Sequence, residues 1–160
     1  MIKATVRGLP DLKAALMGIV PKLRRRALRN ALAAGARAVQ AEARRRTPVI
    51  SPAALAVQKG YRKPGTVKKA ISVRTSKLAT RRGDVGVFVN VRPAKSGNRG
   101  AKNPRDPFYW RWLEFGANNG TRAFGFLRAG AAKLPEALSI FIKTIGPQIA
   151  KLNKPKAPAP

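Results

Sequence analysis

The sequence predicts an α+β fold, in which a long N-terminal helix and a C-terminal helix pack on a small, mainly antiparallel β-sheet. Two patterns support this prediction. Apolar residues recur at helical spacing near both ends of the chain, whereas valines alternate with other residues in the middle, between positions 85 and 91. The length of 160 residues suits one domain with a single core. We therefore expect one domain over residues 1–153 and a disordered tail over residues 154–160.

The first third of the chain predicts a strand, a short helix and a long helix. "IKATVRGL" alternates as a strand does, and "PDLKAALMGI" begins with residues that favour the first turn of a helix. Residues 22–46 form the long, alanine-rich helix, and its apolar stripe consists of Leu28, Leu32, Gly35 and Val39. Basic residues occupy roughly the opposite side, namely Lys22, Arg25, Arg26, Arg29, Arg37 and Arg44.

The middle of the chain predicts an arm, a strand pair and a loop. Residues 49–64 contain prolines and a glycine without a clear period, and we interpret them as an extended arm. "GTVKKA" begins as a turn or short helix and leads into a strand. Strands near 71–77 and 85–91 form the centre of the sheet, joined by the polar hairpin turn "LATRRGD". Residues 92–106 form a flexible basic loop, longer than most connections in compact domains.

The last third holds most of the aromatic residues and the final helix. Residues 107–130 contain seven of the ten aromatic residues, and residues 108–115 predict a short, heavily buried helix. The final helix has an apolar set at helical spacing: Leu134, Leu138, Phe141, Ile142, Ile145, Ile149 and Leu152. Gly146-Pro147 lies inside this set, so we expect a kink or an interruption there.

Composition excludes most enzyme chemistry. The chain has no cysteine and no histidine, so it lacks thiolate ligands, the commonest metal ligand and the commonest general base. Its six acids are scattered through different elements without a pair at catalytic spacing: Asp11, Glu42, Asp84, Asp106, Glu114 and Glu136. We predict that the protein is not an enzyme and that it uses no cofactor and no metal.

The net charge points to an anionic partner. With 34 lysines and arginines against 6 acids, the formal charge is +28, and such a chain repels itself unless polyanions or acidic proteins lie nearby. A membrane partner is not expected, because no apolar run approaches the roughly 18 to 20 residues of a membrane span. The start "MIKATVRGL" also lacks the apolar stretch of a signal peptide, so we expect synthesis in a cytoplasm.

Several motifs together resemble a phage protein family. In order, they are "RRRTPV", "GTVKKAISVR", "YWRWLEFG" and "FGFLRAGAAK", and the most specific parts are "EFG" at 114–116 and "FLR" at 126–128. This order resembles the Hong-Kong-ninety-seven-type phage tail-component family, whose members are small neck or tail-completion proteins. The resemblance implies a structural virion protein in a ring at the head–tail junction, as a neck, tail-completion or tail-terminator component around the DNA channel.

The resemblance also implies the partners. They are further copies of the chain in a homo-oligomeric ring of six or twelve, the neighbouring portal or connector and tail rings, and DNA bound without sequence specificity in the channel. The protein would then reside in the virion, at the head–tail junction or in the tail.

A ring needs two different complementary surfaces on each subunit, and aromatic residues are frequent interface anchors. We predict that Trp112, Phe115, Phe126 and Leu127 fill the subunit's own core. For the remaining aromatic residues of the stretch, core packing and subunit contact both stay open. The candidates for the subunit interface are Phe108, Tyr109, Trp110 and Phe124, together with Asn118 and Asn119 in an exposed loop.

Charged residues of this region have two predicted roles. Glu114 lies close in sequence to three arginines, so we predict a structural ion pair that fixes the loop between "EFG" and "FLR", formed with Arg111, Arg122 or Arg128. Other cations are predicted to face DNA phosphates: Arg81 and Arg82 in the hairpin turn, and Lys95, Arg99, Lys102 and Arg105 in the basic loop. The arginines of helix 22–46 form a solvated face or pair with acidic neighbouring rings.

Two other function classes compete with this hypothesis. A free, non-specific nucleic-acid-binding protein acting through its basic surface is the alternative, and the charge alone supports it. A cationic membrane-active protein would use the amphipathic helix 22–46, but the apolar stripe of that helix is too weak for firm insertion.

Overall fold

A computed structural model describes residues 17, 21–53, 63–118, 120 and 122–152. The predicted N-terminal strand, nearly all of the first short helix, residues 54–62 of the arm, Asn119 and the C-terminal tail lie outside the described residues. The described elements, in chain order, are α1 (Pro21–Arg46), α2 (Thr66–Ala70), β1 (Ile71–Thr75), α3 (Lys77–Arg81), β2 (Val87–Val91), α4 (Trp110–Phe115), α5 (Phe126–Ala131) and α6 (Leu134–Leu152).

The α+β prediction is confirmed. Strands β1 and β2 pair antiparallel, with Ile71 opposite Val91 and Thr75 opposite Val87. Helix α1 packs against α5, α6 and both strands. The predicted hairpin turn differs in one respect, because it contains the short helix α3. Ser76 caps this helix by accepting a hydrogen bond from the Ala79 amide at 3.2 Å, which gives the turn a local helical start.

Small residues form the contact between α1 and the two C-terminal helices. We call this contact the helix seam, and its members are Ala27, Ala31, Gly35 and Ala43 of α1, Gly130 of α5 and Ala137 of α6, all buried. A Cβ atom added to Gly35 would overlap the Ala137 carbonyl oxygen, and one added to Gly130 would lie 2.9 Å from the Val39 carbonyl oxygen. The backbones therefore approach so closely that only glycine fits at these two positions.

The predicted stripe of α1 lies beside the seam. Gly35 belongs to it, but the larger Leu28, Leu32 and Val39 are only half-buried. Arg44 was predicted on the basic side, yet it turns towards the sheet, where its Nη2 donates to the Ile71 carbonyl at 2.8 Å beside Gln40 Nε2, also at 2.8 Å. These two donors satisfy an outward-facing carbonyl of β1, and so they attach α1 to the sheet.

Helix α6 continues through Gly146-Pro147, so the expected interruption does not occur. The residue before a proline resists the helical conformation mainly because its Cβ clashes with the proline ring, and Gly146 has no Cβ. The core has two clusters. Ala27, Ala31, Ile145 and Ile149 join α1 to α6, and Ala43, Val67, Ile71, Val91 and Phe126 join α1 to the sheet and α5. Among the helices that the structure describes, none combines the length and the hydropathy of a membrane-spanning segment.

Candidate assembly and DNA-contact surfaces

Helix α4 divides the aromatic stretch between the core and the surface. Tyr109, Trp110 and Leu113 pack against the sheet cluster, and Glu114 is buried on the same side. At 100° per residue, the opposite side of this helix carries positions 111, 112 and 115. The core prediction for Trp112 and Phe115 is accordingly wrong, since they are 43% and 65% exposed.

The core prediction is confirmed for Phe126, which is fully buried, while Leu127 is half-buried against the same cluster. Phe124 lies outside the core at 47% exposure. Its amide donates to the Leu113 carbonyl at 2.8 Å, and the Gly125 amide donates to the Glu114 carbonyl at 3.2 Å. The returning chain is thus fixed along α4, and Phe124 stands next to the exposed side of that helix.

We call the exposed set Trp112, Phe115 and Phe124 the aromatic edge. Phe124 connects the other two, because it lines one hollow with Phe115 and another with Trp112. Of the predicted interface candidates, Phe124 belongs to this edge, and Asn118 is exposed nearby in sequence. Phe108 is half-buried with its ring 5.6 Å from that of Trp112, edge to face. Tyr109 and Trp110 pack on the core.

Glu114 holds the loop, but through backbone amides. Its Oε2 accepts from the Leu127 amide at 2.8 Å and its Oε1 accepts from the Arg128 amide at 3.1 Å. These amides belong to the first turn of α5, where backbone N–H groups have no partner within the helix. The predicted ion pair with Arg111, Arg122 or Arg128 therefore needs correction: among the described residues, the ion pairs join Glu42 to Arg45 and Arg46, and Lys133 to Glu136.

A second buried carboxylate, missed in the sequence analysis, organises the basic loop. Asp106 is 4% exposed, and its two oxygens accept from the Ala94 amide at 3.0 Å and the Gly100 amide at 2.6 Å. Asn103 adds a hydrogen bond to the Ser96 carbonyl at 3.0 Å. The one available signal was that Asp106 is the sole acid of residues 92–106. The loop thus has a defined backbone, on which four cations stand exposed: Lys95, Arg99, Lys102 and Arg105.

The six predicted phosphate-facing cations form two separate groups. Arg81 and Arg82 are exposed before β2, whereas the loop cations follow it. Strand β2, whose five residues span about 14 Å at about 3.4 Å per residue, lies between the two groups in the chain. Arg25 of α1 joins the first group, because a Cβ on Gly83 would lie 3.8 Å from its Nη2 atom.

Acids within the subunit neutralise little of this charge. Glu42 binds Arg45 at 2.6 Å and Arg46 at 2.9 Å, and hydrogen bonds from these arginines, Arg45 first, lower the pKa of Glu42 to about 2. Glu136 binds Lys133 at 2.8 Å, and that hydrogen bond raises the pKa of Lys133. Within the described ranges, the cations of the loop and the turn have no carboxylate partner.

An open apolar groove lies between α1, β2, α5 and α6, with a volume of about 450 Å³. We call it the apolar groove, and its large lining residues are Leu32, Val39, Phe88, Leu127, Leu138 and Phe141. Leu134 at its end is 56% exposed, and Phe88 is 39% exposed. This groove could not be predicted from the sequence, because its lining combines α1 and β2 with the distant C-terminal helices α5 and α6.

Residues 11–116 match the family model described as "Bacteriophage HK97-gp10, putative tail-component". The chain belongs to this bacteriophage tail-component family. The resemblance inferred from the motifs is thereby confirmed, although the "FLR" motif at 126–128 lies beyond the matched residues. Neither a curated protein nor a solved structure matches the chain. As a tail-component family member, it is a structural protein of the phage virion.

Proposed function

We propose that this tail-component protein is a ring subunit at the head–tail junction, where it acts as a neck, tail-completion or tail-terminator component around the DNA channel. The observation that carries the proposal is that most described acids have partners inside the subunit, whereas many exposed cations have no carboxylate partner there. Of the five acids in the described residues, Glu42, Asp106, Glu114 and Glu136 have partners inside the subunit, and only Asp84 has none. The exposed cations therefore require anions from outside.

DNA in the channel would supply such anions. Lysine and arginine side chains bind phosphates without reading sequence, which suits a surface that meets any passing DNA. Asp106 binds two backbone amides of the basic loop, and the four exposed cations extend from this anchored backbone. The group formed by Arg25, Arg81 and Arg82 stands at the other end of β2 and is available to DNA or to an acidic neighbouring ring.

A ring is consistent with the distribution of apolar surface. Heterologous contacts close into rings when each subunit carries two different complementary surfaces. This subunit has two that differ in composition, the exposed aromatic edge and the aliphatic-rich apolar groove. We propose six or twelve copies per ring, stacked between the portal or connector and the tail rings.

The position in the virion is tested by inactivating this reading frame in the parent phage and imaging lysates by electron microscopy. We expect filled heads with separate tails, or tails of the wrong length. Joined, infectious particles of normal appearance would refute the proposal. Retained binding of the purified protein to DNA in that case would favour a free nucleic-acid-binding protein.

The contact with DNA is tested by the salt dependence of binding. Changing Lys95, Arg99, Lys102 and Arg105 to Ala should reduce the slope of log affinity against log salt by up to about 3.6, at about 0.9 for each phosphate that the variant no longer neutralises. A matched control changes four exposed lysines elsewhere, Lys68, Lys69, Lys143 and Lys151. Equal slopes for the two variants would exclude the loop as the DNA-binding surface, and an Arg81→Ala, Arg82→Ala variant tests the second group in the same assay.

A further inference from the structure

We infer that each subunit inserts its aromatic edge into the apolar groove of the next copy. The inference rests on the proposed ring, because it names the partner of the groove as a second copy of this chain. A heterologous contact of this kind leaves one free edge and one free groove at the ends of any open chain of subunits, and both are used when the ring closes.

The position of α5 separates the two surfaces within one subunit. Leu127 and Ala131 on one side of this helix line the apolar groove. Arg128 and Ala129 on another side line the hollow that contains Phe115 and Phe124. Since the helix stands between them, the edge of one subunit is directed away from its own groove, and a second copy is needed for the two to meet.

The two surfaces also match in chemistry. The residues that line the groove in the described chain are leucine, valine, phenylalanine, alanine and glycine, so an inserted group must be apolar. Its volume of about 450 Å³ falls in the range of about 300–1,000 Å³ typical of pockets that hold a ligand. The edge offers three aromatic side chains on a base fixed by Glu114, and rigid aromatic anchors lose little conformational entropy on binding.

Charge supports contact between copies at this place. Two subunits of formal charge +28 repel each other over most of their surface. Among the described residues, the groove lining carries no cation, however. Lys133, just after Ala131 at the end of the groove, lies close enough to Glu42 and Glu136 for both to raise its pKa, Glu136 first. The edge is flanked by the exposed Arg111 and Arg128. Arginines beside the edge would then approach the exposed carboxylate of the neighbour's Glu136, which lies at this end of the groove.

Complementary variants test the contact. The edge variant carries Phe115→Ser and Phe124→Ser, and the groove variant carries Ala131→Trp, which fills the groove from an exposed position. Alone, each variant should sediment at the monomer mass of 17.3 kDa, whereas the wild type forms larger assemblies. Mixed in equal amounts, they should form a heterodimer of twice that mass, since the edge of the groove variant still fits the groove of the edge variant. Formation of the heterodimer also shows that both variants fold.

Control variants place similar changes outside both surfaces. Ala132→Trp adds the same side chain one residue further on, and Leu78→Ser removes an exposed apolar side chain from α3. Both should assemble as the wild type does. The inference is overturned if the edge variant alone still assembles, because the groove would then pair with another groove. It is also overturned if the groove variant assembles normally, because its own chain or another surface would then occupy the groove. A wild type that remains monomeric overturns it as well.

The outcome of this pairing experiment can be distinguished from the outcome of the experiment that tests the proposed function. If the complementary variants fail to pair while loss of the reading frame still yields separate heads and tails, the junction assignment survives and the ring uses another contact. If the variants pair but the phage lacking the protein assembles normally, the contact is real and the junction assignment is wrong.

Discussion

The helix seam and the aromatic edge reverse the usual relation between the size of an apolar side chain and its burial. The seam consists of alanine and glycine and is buried, although these side chains offer little apolar area. The edge consists of tryptophan and phenylalanine, the largest apolar side chains of the chain, and it is exposed to solvent. Small residues let helix backbones approach closely, so they contribute dense packing, whereas the large residues remain available to a partner.

The difference between buried and exposed aromatic rings is tested most strongly by changing one phenylalanine in the core and one at the aromatic edge. Phe126→Ala removes a fully buried ring and should lower the free energy of unfolding by about 3–5 kcal/mol. Phe115→Ala removes a ring that is 65% exposed and should change it by less than about 0.5 kcal/mol. Chemical denaturation of both variants measures the difference. Similar losses would mean that the edge belongs to the core of the subunit.

The seam itself is tested by adding a single methyl group. Gly35→Ala forces the Ala137 carbonyl away and should cost about 3 kcal/mol, because the backbone on the facing helix cannot yield cheaply. Ala41→Leu adds more atoms to the same helix at an exposed position and should stay within about 0.5 kcal/mol of the wild type. If thermal unfolding shows Gly35→Ala to be as stable as the wild type, the close approach of α1 and α6 is incorrect.

The link between the two regions is Glu114, which joins the edge helix α4 to α5. Glu114→Gln replaces one accepting oxygen by an amide nitrogen, which cannot accept from a backbone N–H, so we expect a loss of about 2 kcal/mol. Glu136→Gln serves as the control, since its ion pair with Lys133 is solvent-exposed and contributes little to stability. If both variants lose the same free energy of unfolding in denaturation experiments, Glu114 does not stabilise the first turn of α5.

The smallest expected effect is a pH-dependent change in stability near the C-terminal end of α1. The pKa of Glu42 is lowered from 4.5 to about 2 in the folded protein, so its pairing with Arg45 and Arg46 stabilises the fold above about pH 4.5. That contribution is lost as the pH falls from 4.5 through about 2. The melting temperature of Glu42→Gln should therefore lie slightly below that of the wild type near neutral pH and converge with it in acid. Arg37→Gln, which removes a charge elsewhere on α1, should show no such convergence.

Patterns local in sequence predicted the elements of the fold. Helix 22–46, the strand pair and the final helix are all present, because their apolar periods extend over enough residues to identify them. Orientation within short segments was less predictable. Helix α4 has six residues, too few for a period to show which side faces inward, and the burial of Glu114 rather than Phe115 decides it.

For the charged residues too, some properties could be predicted from the sequence and others only from the structure. Composition alone indicated an anionic partner and the absence of the usual catalytic residues, because these properties depend on which residues are present and not on where they lie. The roles of individual acids depended on their neighbours in space. Glu114 and Asp106 bind backbone amides brought to them by turns of the chain, and arginines close in sequence were a poor guide to those partners.

Residue patterns and composition were enough to predict the α+β class, the main helices and strands, the basic character and, through the motifs, the tail-component family. Which apolar residues are buried and which remain exposed became clear from the packing of the elements in three dimensions. The reason is that burial depends on the distance between elements, and the glycines at 35 and 130 bring α1, α5 and α6 so close that small side chains fill the helix seam. The large aromatic side chains of the edge are left on the surface, where a second copy of the chain can bind them.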